Sequence, residues 1–131
     1  MLKFVLAMFF GLLCSVSSAQ YIQYTNNLSH FASASHDRFG REVIQLNSRL
    51  RFRPKLQEFI INHEKAHFAM NHFRSNKPIL LQELEADRYA TQRSSMGARR
   101  AAYRFFLLGG GSGFNKSHGS SWSRARRIRN Y

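Results

Sequence analysis

The chain has 131 residues, and 20 Lys and Arg against 7 Asp and Glu give it a formal net charge of +13. A chain of this length forms one domain, because a single core has to supply nearly all of its buried area. Its hydrophobic content of 44% and aromatic content of 14% are too high for wholesale disorder. Length and composition therefore exclude a multidomain protein and a polytopic membrane protein.

The first 19 residues have the pattern of a signal peptide. Lys3 precedes an apolar run over residues 4–13, and small residues follow up to Ala19. The run is shorter than the roughly 20 residues that span a bilayer. We therefore predict cleavage near Ala19 and export to the periplasm or the exterior, with an N-terminal membrane anchor as the alternative. Cleavage would remove the single cysteine, Cys14, so a bound metal rather than a disulfide would stabilise the small core.

Residues 20–108 predict one small α+β domain with a short β-sheet and three helices. A short strand or arm is predicted near Tyr21, a loop over 26–41, and a strand over 42–50, where β-branched and aliphatic residues are frequent. Helices are predicted over 55–71, 79–96 and 98–108, with a proline at the first helical position and a glycine between the last two. The remainder, 109–131, is rich in Gly, Ser and Arg and predicts a flexible basic tail.

The first helix contains the pentapeptide His63-Glu64-Lys65-Ala66-His67, which matches H-E-x-x-H. Residues four apart lie on one face of an α-helix, so His63 and His67 can hold one tetrahedral zinc ion. Glu64 points about 100° away from His63 around the helix, which places it beside the metal. We therefore predict two histidine ligands and Glu64 as the catalytic base.

The second helix carries two carboxylates at the same spacing, Glu83 and Asp87. Because they share one face, they are candidates for a third ligand and for an outer group that orients a ligating imidazole. The alternative is that both only solvate an exposed face near Arg88. Glu85 leaves the helix about 200° from Glu83 and is predicted to point toward Arg88 or solvent.

These two helices resemble those of a known group of enzymes. NHEKAHFAMNH followed by ELEADRYA is similar to the gluzincin metallopeptidases of the CAAX prenyl protease and heat-shock protease X type, in a size similar to the minigluzincins. The resemblance covers roughly residues 41–108. It implies a small zincin-like fold and one Zn²⁺ ion held by His63, His67 and Glu83, with Asp87 in the outer position. The 16 residues from His67 to Glu83 are fewer than in most of these enzymes.

The resemblance implies an exported zinc metalloendopeptidase of the gluzincin type. In such an enzyme Glu64 takes a proton from a zinc-activated water and passes it to the leaving amine. A peptide or protein substrate would bind as an extended strand beside residues 43–48. Four side chains are candidates for stabilising the oxyanion, and the sequence does not choose among them: Arg88, Tyr89, Tyr103 and His72.

The basic tail supports a second hypothesis, in which the positive charge is the function. Arg124, Arg126, Arg127 and Arg129 lie beside Trp122 and could contact an anionic surface. The chain would then be a non-catalytic zinc-fold cationic binding protein acting on envelope polymers, membranes or nucleic acid, although no specific nucleic acid is predicted. The tail could also fold over the cleft and keep a protease latent. Three further histidines are predicted at the surface: His30, His36 and His118.

Overall fold

The structure, a computed structural model, describes residues 20–110 and 118–131. Within these ranges the chain forms three strands and four α-helices, which confirms the predicted α+β class. In chain order they are β1 (Tyr21–Thr25), β2 (Ala32–His36), β3 (Glu42–Asn47), α1 (Pro54–Ala69), α2 (Ile79–Arg93), α3 (Met96–Leu107) and α4 (Ser121–Asn130). The predicted signal peptide, residues 1–19, lies outside the described residues. No described helix is both long enough and apolar enough to cross a membrane.

The sheet is built around β3, which pairs with β1 in parallel and with β2 in antiparallel fashion. The strand owes its central place to three buried apolar side chains: Val43, Ile44 and Leu46. It ends at Asn47 rather than at the predicted Leu50. The Asn47 side chain accepts a hydrogen bond from the backbone N–H of Arg49 at 3.1 Å and so caps a 3₁₀ turn over Ser48–Phe52.

The strand β2 corrects the prediction of a loop over 26–41. Its sequence, ASASH, contains only small and polar side chains, so it lacks the hydrophobic alternation that identifies a strand. The turn that follows fixes its pairing with β3. Asp37 Oδ1 accepts hydrogen bonds from the backbone N–H groups of Phe39 and Arg41, and Gly40 takes a positive φ of 76°.

Most of the core lies between the sheet and the first three helices. α1 contributes large apolar side chains, whereas α2 and α3 contribute mainly alanines. The residues concerned are Leu56, Phe59 and Ile60 on α1, Ala86 and Ala90 on α2, and Ala98, Ala102 and Phe106 on α3. Because alanine allows two helices to approach closely, α1 and α2 bring their facing side chains into contact.

The helix α4 corrects the prediction of a flexible tail over 109–131 for the part that it covers, Ser121–Asn130. Residues 111–117 of the predicted tail lie outside the described residues. The Ser120 hydroxyl accepts a hydrogen bond from the backbone N–H of Ser123 and caps the helix. Ala125 and Ile128 are buried in the common core. Only two of its ten residues are buried apolar side chains and Trp122 is exposed, so the helix has little hydrophobic pattern and the sequence did not reveal it. The domain therefore continues past Leu108 into the C-terminal segment.

Ile128→Ala should lower the free energy of unfolding by about 2–4 kcal/mol, because it removes a buried aliphatic side chain from the core. Urea denaturation of the full chain measures this loss. Arg129→Ala is the matched control, since Arg129 is exposed on the same helix and should change stability by less than about 0.5 kcal/mol. Equally small losses for the two variants would contradict the packing of α4.

Candidate metal centre

Two helices bring together three side chains that could bind a metal ion. His63 and His67 lie one turn apart on α1, and Glu83 lies in the second turn of α2. His63 Nε2 is 3.1 Å from Glu83 Oε2, and His67 Nε2 is 3.7 Å from Glu83 Oε1. One nitrogen or oxygen atom of each residue lies within 4.8 Å of the others. This largely buried group could hold a metal ion.

The connection between α1 and α2 sets Glu83 opposite the two histidines. α1 ends at Ala69, before the predicted end at Asn71, and Asn71 adopts a left-handed conformation with φ of 53°. A 3₁₀ turn over His72–Arg74 follows, and α2 begins at Ile79. Because α1 ends early and the chain reverses at Asn71, the short segment between His67 and Glu83 is long enough to bring Glu83 opposite the two histidines.

Asp87 lies behind the candidate ligands, in contact with His63. The Nδ1–H of His63 donates a hydrogen bond to Asp87 Oδ1 at 3.0 Å, while Nε2 faces Glu83. Asp87 is fully buried. A carboxylate in such a position fixes the orientation of a ligating imidazole through its other ring nitrogen.

Two arginines of α4 neutralise Asp87, and the sequence analysis did not identify them as site residues. Arg124 Nη2 donates to Oδ1 and Arg127 Nη2 donates to Oδ2, each at 2.6 Å. Each also donates through Nε to Oδ2 at 3.2 Å. Only indirect evidence in the sequence indicated that these arginines pair with Asp87. A carboxylate buried in a core needs a counter-charge, and the C-terminal segment is where the cations are dense.

The surroundings move the pKa values of the three site carboxyls in opposite directions. Burial acts to raise the pKa of Asp87, but Arg124 and His63 outweigh it and hold the pKa well below its ordinary range. Burial acts in the same way on Glu83, where hydrogen bonds from two imidazoles hold the pKa low. In Glu64 burial dominates and raises the pKa. Glu83 and Asp87 are therefore held as anions, whereas Glu64 accepts a proton more readily.

The pKa values of the two candidate ligand histidines are also shifted in opposite directions. Burial acts to lower the pKa of His63, but hydrogen bonds to Asp87 and Glu83 outweigh it and raise the pKa to about 9. Burial, followed by the charge of His63, lowers the pKa of His67 to about 4. A metal ligand has to be a neutral imidazole, so metal binding would displace a proton from His63.

Glu64 faces two cavities beside the candidate ligands. The larger has a volume of about 230 Å³ and is lined by Glu64, His67, Glu83 and His118 together with residues of β2. The smaller has a volume of about 40 Å³ and extends from His63 and Glu64 to the start of α4. Although Glu64 is only 7% exposed, its side chain therefore borders space that a small molecule or water can enter.

His118 belongs to this site, which corrects its prediction as a surface residue. Its Nδ1 makes a short hydrogen bond with Glu83 Oε2, and its backbone carbonyl accepts a hydrogen bond from Arg127 Nη2 at 3.3 Å. The Ser- and Gly-rich surroundings of His118 carry no signal that would have identified it. The hypothesis of a tail folded over the cleft requires such a placement, and its effect on activity stays a prediction.

The side chains proposed from the sequence for oxyanion stabilisation line neither cavity: Arg88, Tyr89, Tyr103 and His72. Three other side chains with ring or guanidinium N–H groups do, since His30 and His118 border both cavities and Arg124 borders the smaller one. The cavity lining therefore does not support the four earlier candidates, and the side chains that could take their place are His30, His118 and Arg124.

The sheet edge beside the cavities is β2 rather than β3. Because β3 is hydrogen-bonded on both sides, the prediction that a substrate pairs with residues 43–48 is wrong. Among the described strands β2 pairs with β3 alone. Ala32, Ser33 and Ala34 of β2 line the larger cavity, so the free edge of the sheet runs beside Glu64 and His67.

Comparisons with protein-family models, with curated proteins and with solved structures found no match to this chain. The function has to be inferred from the geometry and the chemistry of the site.

Arg124→Ala should lower the free energy of unfolding by about 3 kcal/mol, because it leaves a buried carboxylate with fewer partners. Arg126→Ala is the control: Arg126 is exposed and contacts Trp122 rather than Asp87, so its loss should stay below about 0.5 kcal/mol. Chemical denaturation at neutral pH distinguishes the two. Similar losses in both variants would show that Asp87 does not depend on Arg124.

Proposed function

We propose that this protein is an exported zinc metallopeptidase of the gluzincin type that hydrolyses peptide bonds with Glu64 as general base. The observation that carries this proposal is the arrangement of four side chains. Two imidazoles and one carboxylate converge on a common point, and Glu64 borders the cavity next to them. A site that served only to hold a metal would not need this fourth group.

The donor set supports zinc as the metal. Two histidine nitrogens and a carboxylate oxygen are ligands that zinc accepts at about 2.0–2.2 Å, and catalytic zinc sites have three protein ligands. Tetrahedral geometry at those distances separates two ligand atoms by about 3.4 Å. His63 Nε2 lies 3.1 Å from Glu83 Oε2 and His67 Nε2 lies 3.7 Å from Glu83 Oε1, so each imidazole faces one oxygen of the carboxylate at close to that separation. Asp87 adds the outer carboxylate that such histidines usually have.

The opposite pKa shifts of the carboxyls support a division of roles. When bound, zinc supplies a Lewis acid that makes water more acidic and polarises a carbonyl oxygen. A carboxylate oxygen of Glu64 would take the proton from the attacking water and deliver it to the leaving amine. The raised pKa of Glu64 suits a group that has to hold that proton between the two steps. Glu83, held as an anion, suits a ligand.

The cavity walls suggest how a peptide would bind. An extended peptide would pair its backbone with the free edge of β2 and pass over the larger cavity, where Glu64 lies. His118 borders both cavities and is the proposed donor to the carbonyl oxygen of the scissile bond, as the negative charge develops there. Because its Nδ1 already donates to Glu83, it would do so through Nε2–H of the imidazolium form. Peptide or protein substrates are therefore the proposed partners.

The hypothesis of a cationic binding protein is less well supported. Arg124 and Arg127 form internal ion pairs with Asp87, which leaves Arg126 and Arg129 as the exposed arginines of α4. Contact of α4 with an anionic surface would depend on these two residues, because the other two are committed to the fold.

Glu64→Gln should reduce the rate of peptide hydrolysis by at least about 100-fold, because the amide keeps the shape of the side chain but cannot accept the proton. The measurement is cleavage of an unstructured protein by the zinc-loaded full chain. Metal content should stay at the level of the parent protein, since Glu64 is not a proposed ligand.

Glu58→Gln is the matched control for this prediction. Glu58 lies on the same helix, but it accepts hydrogen bonds from Ser95 and not from any site residue. Its substitution should leave the hydrolysis rate within about twofold of the parent, as for a surface change. Full turnover by Glu64→Gln would refute the assigned role.

A further inference from the structure

A chain of hydrogen bonds runs behind His67, on the side away from the proposed metal. His67 Nδ1 is 3.0 Å from His72 Nδ1, and His72 Nε2 is 3.0 Å from Glu85 Oε2. His72 is buried, with a side-chain exposure of 1%. Lys77 Nζ donates to both oxygens of Glu85 at 2.7 Å and 2.8 Å. Glu85 is thus tied to the site, which corrects its prediction as a group that faces Arg88 or solvent.

We infer that His72 and Glu85 are positioning residues that fix which ring nitrogen of His67 is presented to the metal. The inference rests on the proposed metal centre and extends it to two residues that do not touch the metal. It would give each ligand histidine of α1 a carboxylate partner on α2. His63 reaches Asp87 directly, whereas His67 reaches Glu85 through His72.

The donor and acceptor roles in these hydrogen bonds follow from the carboxylate of Glu85, at which the series ends. An ionised carboxylate only accepts hydrogen bonds, so the proton on His72 lies on Nε2 and is donated to Glu85. In a neutral imidazole the other nitrogen is an acceptor, so His72 Nδ1 accepts from His67 Nδ1–H. His67 Nε2 is then left with its lone pair, and this is the nitrogen that faces Glu83. That tautomer is the one that can bind a metal.

The local backbone explains how His72 reaches this position. His72 is five residues after His67 and would lie on a different face if α1 continued. Because Asn71 takes the left-handed conformation, the chain turns back, and the 3₁₀ turn places His72 beneath the last turn of α1. The rings of His67 and His72 are 5.0 Å apart between centroids and inclined by 72°. The turn therefore serves as a support for His67.

Glu85 could instead favour metal binding by direct charge attraction to the bound cation. The ion pair between Glu85 and Lys77 argues against this explanation. Glu85 is paired with a lysine at hydrogen-bond distance, so the net charge of the pair is close to zero. Partly exposed charges are also screened by water. The effect of Glu85 on the metal should therefore pass through His72 and vanish when His72 is absent.

The test is a zinc titration of the full chain after metal removal by a chelator, with affinity read from competition with an indicator. Glu85→Ala and His72→Phe should each weaken zinc binding by about 10- to 100-fold. The double variant should bind zinc no more weakly than His72→Phe alone, because Glu85 acts through His72. Glu58→Ala, which removes a similarly exposed glutamate from α1, should leave zinc affinity unchanged.

Glu85→Gln provides a second test that does not depend on a core substitution. Its amide oxygen can still accept the Nε2–H of His72, so zinc affinity should recover most of the way from the Glu85→Ala value. The visible spectrum of the cobalt-substituted protein should change in Glu85→Ala and return in Glu85→Gln, because it reports the geometry of the ligands.

Three outcomes separate this inference from the proposed function. If the parent chain binds no zinc, or if His63→Ala binds it equally well, the metal centre itself is refuted. If the parent binds zinc through His63 but Glu85→Ala binds it equally well, the positioning role alone is refuted. Additive losses in the double variant, or a Glu85→Gln affinity as low as that of Glu85→Ala, would also overturn the positioning role in favour of a charge effect.

Discussion

One buried carboxylate, Asp87, connects three of the described helices. From α2 it accepts hydrogen bonds from His63 on α1 and from Arg124 and Arg127 on α4. An isolated carboxylate in a core is destabilising by several kcal/mol, so Asp87 is tolerable only while these partners are in place. The carboxylate that pairs with the arginines of α4 is therefore also the one that orients a candidate metal ligand, so folding and site geometry depend on the same group.

The sequence was sufficient where the geometry is local. The i, i+4 spacing within one helix predicted that His63 and His67 share a face and that Glu83 and Asp87 share another, because helix periodicity fixes both relations. The structure then brings the two faces together. The α+β class and the approximate positions of the first three helices were also predictable, since α1 and β3 carry the large apolar side chains that give a clear hydrophobic pattern. The predicted break at Gly97 was wrong, because α2 ends at Arg93 and α3 begins at Met96, so Gly97 lies within α3.

The sequence was insufficient where contacts are distant or weakly patterned. β2 consists of alanine, serine and histidine, and α4 buries only two apolar residues, Ala125 and Ile128. Neither element therefore has a strong periodic hydrophobic pattern. His118 meets Glu83 across 35 residues, a contact that no local rule predicts. The contact of Glu85 was predicted wrongly for another reason. Helix geometry correctly predicted that Glu85 points away from Glu83, but the left-handed turn at Asn71 places His72 where it binds the Glu85 carboxylate.

All that is proposed for this site depends on whether His63, His67 and Glu83 hold one zinc ion. The most direct test is a crystal structure of the full chain grown with zinc, with anomalous diffraction recorded at the zinc absorption edge. One peak is predicted within about 2.0–2.2 Å of the Nε2 atoms of both histidines and of a Glu83 carboxylate oxygen. No peak there, or a peak held by other residues while these three keep their hydrogen bonds, would contradict the account.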